Sequence, residues 1–238
     1  MKLSSESLSF IQRVVNTADL VKIESIIIEP NVVRAIDDNH TVFILQTVDV
    51  PDMEFGSIGL NRTNVFTSRF ELGKTMTDFS VDATVEGKEP AMYARALTMK
   101  AKGIKVDYRC ANPNLIKAPK QLHDTLAYQV QIDPEVVLMM QKGQAAMSAD
   151  EITFIGSAEG VFFELSDINA DKMNYQFANK ALRLDDEDDA PVSFIHAYAL
   201  KTLLPLFKIN PTGSFSLTTQ GILKIVINGL DVYVMPRT

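Results

Sequence analysis

Residues 110–131, CANPNLIKAPKQLHDTLAYQVQ, lie near the midpoint of a 238-residue chain. Asn112, Pro113, Asn114, Pro119 and His123 break both helical and strand periodicity over the first half of this stretch. Proline fixes φ and removes a donor, and the residue before it is pushed toward extended geometry. The stretch therefore reads as a connector running over a surface. Leu115 and Ile116 are large apolar residues between the prolines. A pure spacer has no need of them, so they either tuck against the body or offer an apolar grip to a partner. The segments on either side, 1–109 and 132–238, read as two versions of one unit.

In the first segment, Ser4 or Ser5 can cap a helix on which Leu8, Ile11, Val14 and Val15 share one side. Ser5, Ser9, Gln12, Arg13 and Asn16 share the other, a polar face with a single cation. Runs rich in β-branched residues follow at 20–28, 32–36 and 41–48, separated by turn signals. A second helix is predicted over 62–72, with Arg62 and Arg69 on the same side and Val65 and Phe66 flanking them. Residues 77–85 then alternate apolar and polar with the period of a half-buried strand. Strands over 92–99 and 104–108 complete the unit.

The same order returns after the connector. Asp133-Pro134-Glu135 is a helix start: an acidic cap, proline at the first helical position, then an acid near the positive end of the dipole. Val136, Met139, Met140 and Gly143 face one way, and Gln141, Lys142 and Ala145 the other, with Leu138 stranded on the polar side. Strands are predicted at 151–156, 161–165, 172–177 and 180–184, and the acidic run 185–189, DDEDD, as a solvated loop. A fourth helix is predicted over 198–207. Leu200, Leu203, Leu204 and Phe207 form its stripe, Lys201 and Lys208 lie opposite, and Pro205 should kink or shorten it. Strands at 214–219, 222–227 and 230–235 close the chain, the last two joined by the hairpin signal Asn228-Gly229.

Order and pattern thus repeat at an offset of about 130 residues, although side-chain identity is slight. Two helices and enough strands for a sheet in each copy predict an α+β fold: two similar domains, each an antiparallel sheet with both helices on one face.

The bulk composition narrows the function. The content of apolar residues, 46%, supports a real core, and no run approaches the roughly 18 apolar residues of a membrane span. The first ten residues lack the apolar core of a signal peptide. The single cysteine, Cys110, cannot form an internal disulfide, so a reducing, cytoplasmic setting is expected. A net charge of −7 leaves room only for a local basic surface on an acidic body. Gly73-Lys74-Thr75 evokes a phosphate loop, but Ser68 stands where that motif requires glycine. His40, His123 and His196 have no ligand partners at metal spacing, and Cys110 has no nucleophile signature. No catalytic centre, metal or cofactor is expected.

Two features resemble a known family. The chain opens MKLS into a one-sided helix and closes in residues 199–238, ALKTLLPLFKINPTGSFSLTTQGILKIVINGLDVYVMPRT. Helix, hairpins and a last strand ending in Tyr233, Val234, Met235, Pro236 and Arg237 resemble the end of DNA sliding clamps, the polymerase processivity factors. The connector segment PNLIKAPK resembles that of the bacteriophage branch.

The resemblance implies a homotrimeric ring around duplex DNA, with helices lining the hole and sheets outside. It has no chemistry of its own, binds DNA without sequence preference, tethers a replicative DNA polymerase and is opened by a clamp-loader ATPase. Arg13, Arg62, Arg69, Lys142, Lys201 and Lys208 would face phosphates. Leu115, Ile116 and Pro119, with Val234, Met235 and Pro236, would form the pocket for a partner peptide. Ring closure would pair the strand carrying Ile104, Val106 and Tyr108 with the strand carrying Met173, Tyr175 and Phe177 of the next subunit. The competing reading is a duplicated scaffold that never meets DNA and needs no basic helix face.

Overall fold

A computed structural model describes residues 1–47, 50, 51, 53, 55–89, 91–184 and 192–237. The chain divides into two compact units, Met1–Gln121 and Leu122–Thr238, with the border inside the 110–131 stretch. The acidic run 185–189 lies outside the described residues.

Unit 1 opens with α1 (Ser5–Leu20), whose cap residue Ser4 accepts a hydrogen bond at its Oγ from the Ser7 amide at 3.0 Å. Phe10, Ile11, Val14, Val15 and Ala18 are buried on its apolar face, while Leu8 sits at the margin of that face. Strands β1 (Ser25–Glu29), β2 (Val32–Ile36), β3 (Val42–Gln46) and β4 (Ser57–Asn61) pair antiparallel in the order β3-β2-β1-β4. The turn Asp37–His40 is tied by the Asp37 carboxylate, which accepts from the amides of Thr41 and Val42. Next come α2 (Thr63–Lys74), β5 (Ser80–Glu86), β6 (Tyr93–Ala101) and β7 (Ile104–Arg109). β6 pairs antiparallel with β5 on one side and with β7 on the other, and touches β4 in parallel through Ser57 and Ile58. Met1 and Leu3 extend the far edge of β5: the Leu3 amide donates to the Val81 carbonyl and the Ala83 amide to the Met1 carbonyl.

Unit 2 repeats this plan. β8 (Leu126–Gln131) precedes α3 (Pro134–Met147), then β9 (Glu151–Ser157), β10 (Gly160–Ser166), β11 (Lys172–Gln176), the short β12 (Leu182–Arg183) and β13 (Phe194–Ala199). α4 (Leu200–Ile209), β14 (Ser214–Thr218), β15 (Leu223–Ile227) and β16 (Leu230–Val234) follow. The strands form two antiparallel groups, β11-β10-β9-β13 and β12-β8-β14-β15-β16. The group β11-β10-β9-β13 has the connectivity of β3-β2-β1-β4 in unit 1, and β8-β14-β15-β16 corresponds to the N-terminal residues with β5, β6 and β7. The predicted α+β duplication is therefore present.

Three elements differ from their predicted form. The stretch Phe194–Ala199 is strand β13, so Tyr198 belongs to a sheet and α4 begins two residues later than predicted. Tyr198 is fully buried and its hydroxyl donates to the Gly221 carbonyl at 2.5 Å. Residues 126–131 of the predicted connector are strand β8, paired with β14 from Gln131↔Ser214 onward. Pro205 sits inside α4, which continues to Ile209. The ring removes only the bond to the Lys201 carbonyl, while Leu203, Leu204, Leu206 and Phe207 stay buried around it and hold the helix down.

Candidate nucleic-acid interface and strand edges

The helices position the basic side chains. Arg13 is exposed on α1, its guanidinium 5.2 Å from the Phe10 ring centroid. On α3, Asp133 caps the first turn by accepting from the Val136 amide at 2.8 Å, which turns Lys142 to solvent and Val136, Val137, Met140 and Gly143 inward. Lys201 and Lys208 are exposed on α4, opposite its buried stripe. A further cation at the end of α2, exposed Lys74, is not among the residues expected to face phosphates; it donates to Gln12 Oε1 on α1 at 3.1 Å.

Arg62 and Arg69 are placed differently from Arg13, Lys142, Lys201 and Lys208. Arg62 is the cap residue of α2, with φ 68° and ψ 60°, and makes no side-chain capping bond. Its guanidinium lies over the Tyr108 ring at 5.7 Å. Arg69 is half-buried, and its Nη1 donates to the Asp107 backbone carbonyl at 2.9 Å. Both arginines thus stand over β7.

Among the described residues, β7 is paired on one side only, with β6. The Cys110 amide donates to the Arg95 carbonyl at 2.9 Å, so the residues bonded to β6 are the even-numbered ones. The backbone groups of Lys105, Asp107 and Arg109 point away from the sheet, because bonded and non-bonded pairs alternate in an antiparallel ladder. Ile104 and Val106 are half-buried on the helix face, and Tyr108 is buried there against Phe66. Burial raises the Tyr108 hydroxyl to about 12, and it donates to the Asn61 carbonyl.

β11 has the same character in unit 2. It pairs only with β10, and the Phe177 amide donates to the Val161 carbonyl at 2.8 Å. By the same alternation, Lys172, Asn174 and Gln176 turn their backbone groups outward. Met173 and Tyr175 are half-buried on the helix face and Phe177 is buried. Gly143 lets α3 approach closely: a Cβ there would stand 2.5 Å from Leu165 Cδ1 and 2.7 Å from Met173 Sδ.

The residues expected to hold a partner peptide divide between the units. In unit 1, Pro113 is buried, Leu115 is 82% exposed, and Ile116 and Pro119 are half-buried. Ile116 packs toward Gly59, whose backbone also bonds Ala111. In unit 2, Val234 is buried, Met235 exposed and Pro236 half-buried. The Arg237 amide donates to the Ala197 carbonyl at 2.7 Å, which lays the chain end along β13. Ile195 on that strand is 70% exposed and was missed, because its segment had not been read as strand. Cys110 is half-buried, and desolvation pushes its thiol up to about 12. Among the described residues, no three His, Cys, Asp or Glu side chains gather closely enough to hold a metal ion.

No protein-family model matches the sequence. No curated protein matches it either. The structure matches the solved structure described as "C-terminal region of FEN-1 bound to A. fulgidus PCNA" with a TM-score of 0.62, at 15% identity, over 100% of this chain and 97% of that chain. This chain has the sliding-clamp fold. On this clamp fold the charge is unevenly distributed. The four helices carry six basic and four acidic side chains, a balance of +2, while the entire chain carries −7.

Proposed function

We propose that the protein is one subunit of a homotrimeric sliding clamp of the bacteriophage-type branch. It encircles duplex DNA and tethers a replicative DNA polymerase for processive synthesis. The observation that carries this reading is the basic balance of the helices in an acidic chain with the clamp fold. A ring that slides must attract phosphates without reading bases, and sparse exposed cations on smooth helices do so. Arg13, Lys142, Lys201 and Lys208 contact phosphates, whereas Arg62 and Arg69, which stand over β7, are set apart from them. The acidic remainder repels DNA from the outer surface.

The two open edges support closure of a ring. β7 offers three outward residues and β11 offers three, on different parts of the same chain. Pairing β7 of one copy with β11 of the next is a heterologous contact, which closes when the rotation does. Partner proteins then hold on through apolar anchors of a short peptide, for which Leu115, Ile116 and Pro119 in unit 1 and Val234, Met235 and Pro236 in unit 2 are the candidate contacts. A clamp-loader ATPase supplies the energy for opening, and the chain itself performs no reaction.

The test is sedimentation combined with retention on circular DNA. A trimer that stays on nicked circles and slides off after linearisation is expected. A protein that remains monomeric at high concentration, or that ignores DNA topology, refutes the reading and favours a scaffold.

A further inference from the structure

α2 has two flanks. Thr67, Glu71 and Lys74 face α1: Thr67 Oγ1 donates to Asp19 Oδ2 at 2.8 Å, and Gln12 Nε2 donates to Glu71 Oε1 at 2.7 Å. Val65, Arg69 and Leu72 recur at i, i+4 and i+7 on the opposite flank, and Met76 follows just past the end of the helix. The bond from Arg69 to the Asp107 carbonyl proves that this flank overlooks the open edge of β7. Leu72 is 49% exposed and Met76 38% exposed, an apolar stripe with nothing on it in the separate chain.

α3 has a matching flank in unit 2. α3 lies against β11 through Gly143, whose Cβ would stand 2.7 Å from Met173 Sδ, and the Tyr175 hydroxyl is raised first by burial and then by the nearby charges of Glu135 and Asp133. The acidic start of α3 thus lies beside the edge strand β11. Met139 and Lys142 follow Glu135 at i+4 and i+7, with Leu138 alongside, 46% exposed. The helix flank beside β7 thus carries Arg62 and Arg69 with apolar residues, and the start of α3 beside β11 carries Asp133 and Glu135 with apolar residues, Lys142 following two turns further along.

We propose that Arg62 and Arg69 of one copy of this chain pair with Asp133 and Glu135 of a second copy, and that Leu72 and Met76 are covered there by Leu138 and Met139. The inference rests on the ring reading above and assigns what selects its head-to-tail order. Two β7 edges brought together would set arginine against arginine, and two β11 edges acid against acid. Only the unlike pair is attractive, so the charges exclude the symmetric dimers that open strands otherwise invite. Strand pairing alone has no such preference, since any open edge accepts any other. On docking, Arg69 exchanges the Asp107 carbonyl for a carboxylate, and that carbonyl becomes available to an amide of the incoming strand.

The experiment is a charge-reversal cycle read by sedimentation velocity: wild type, Arg69→Glu, Glu135→Arg and the double variant. All four side chains in question reach solvent, and thermal melts verify folding. If a reversal lowers the melting temperature by more than a few degrees, Arg69→Gln and Glu135→Gln replace it. Each single change should weaken subunit association about tenfold, and the double variant should return to within about threefold of wild type. Singles that associate like wild type, or a double variant no better than the weaker single, overturn the pairing while leaving the ring intact. A wild type that stays monomeric throughout the concentration range removes the ring and this inference together.

Discussion

Asp124 Oδ1 accepts a hydrogen bond from Thr219 Oγ1 at 2.8 Å, and its Oδ2 accepts the Gln220 amide at 3.0 Å. One carboxylate therefore ties the foot of the connector to the turn between β14 and β15, 95 residues further along the chain. Burial works to raise this carboxyl, but bonds from Thr218, Thr219, Gln220 and Thr125 outweigh it and hold it below its ordinary value. A depressed folded value means that the stabilisation is fully present above the unfolded carboxyl value. It is lost as pH falls through the folded one. Asp124→Ala should cost about 1–2 kcal/mol near neutral pH, the range for hydrogen bonds to a charged acceptor reduced for partial exposure. The gap between the melting curves of the two proteins should shrink as pH falls through that depressed value. A gap that persists in acid would assign the effect to packing instead.

Lys201 and Lys208 are seven residues apart on α4 and both exposed. Replacing both with alanine should leave the melting temperature within a degree or two, since neither side chain makes a packed contact on the buried stripe. Affinity for duplex DNA should fall similarly for every sequence tested. The slope of log affinity against log salt should decrease by about 2, one for each lost phosphate contact. An unchanged salt slope would remove these lysines from the DNA-facing surface.

Gly143 gives α3 its close seat on β10 and β11. Gly143→Val places a β-branched side chain where Leu165 Cδ1 and Met173 Sδ already stand, at 2.5 and 2.7 Å from even the first carbon. Overpacking of this kind costs about 1–3 kcal/mol, more than the helix propensity gained on replacing glycine. Chemical denaturation should show a lower midpoint with an unchanged slope. Equal or higher stability would mean that Met173 swings aside freely and the seat is not tight.

Much of this architecture is legible in local chemistry. Ser4 and Asp133 announce their helices because a cap is a bond between near neighbours, and Asn228-Gly229 announces its hairpin for the same reason. The strand β13 is not legible: Phe194 to Ala199 runs into α4 without a turn residue, and Tyr198 and Ala199 suit either state. β8 hides for another reason. Its pairing with β14 joins residues such as Gln131 and Ser214, far apart in sequence, and its polar side chains read as connector. Among the site residues, Lys201, Lys208 and Lys142 follow from helical periodicity alone. The position of Arg69 over Asp107 does not, because it depends on which strand α2 lies against. Leu138 is visible in the sequence as an apolar residue on a polar flank, and the structure leaves it 46% exposed there.

Leu115 is 82% exposed at the end of a 3-10 turn, Pro113–Leu115, which Asn112 caps by accepting from the Asn114 amide at 3.0 Å. The cap and the buried Pro113 fix the turn, so the leucine is displayed by a rigid support and not by a loose tail. Exposure of a large aliphatic side chain gains nothing for folding, since its burial is what stabilises. Leu115→Ser should therefore leave the melting temperature unchanged or slightly higher. If the residue belongs to the partner-peptide pocket, affinity for a polymerase-tail peptide should fall about tenfold or more, as for the loss of a central apolar anchor. Met235→Ser, 36% exposed near the other end of the chain, should act in the same direction. Fluorescence anisotropy with a labelled peptide measures both variants. Retention of full affinity by both would place the peptide elsewhere on the chain, and β13 with its exposed Ile195 would be the next surface to test.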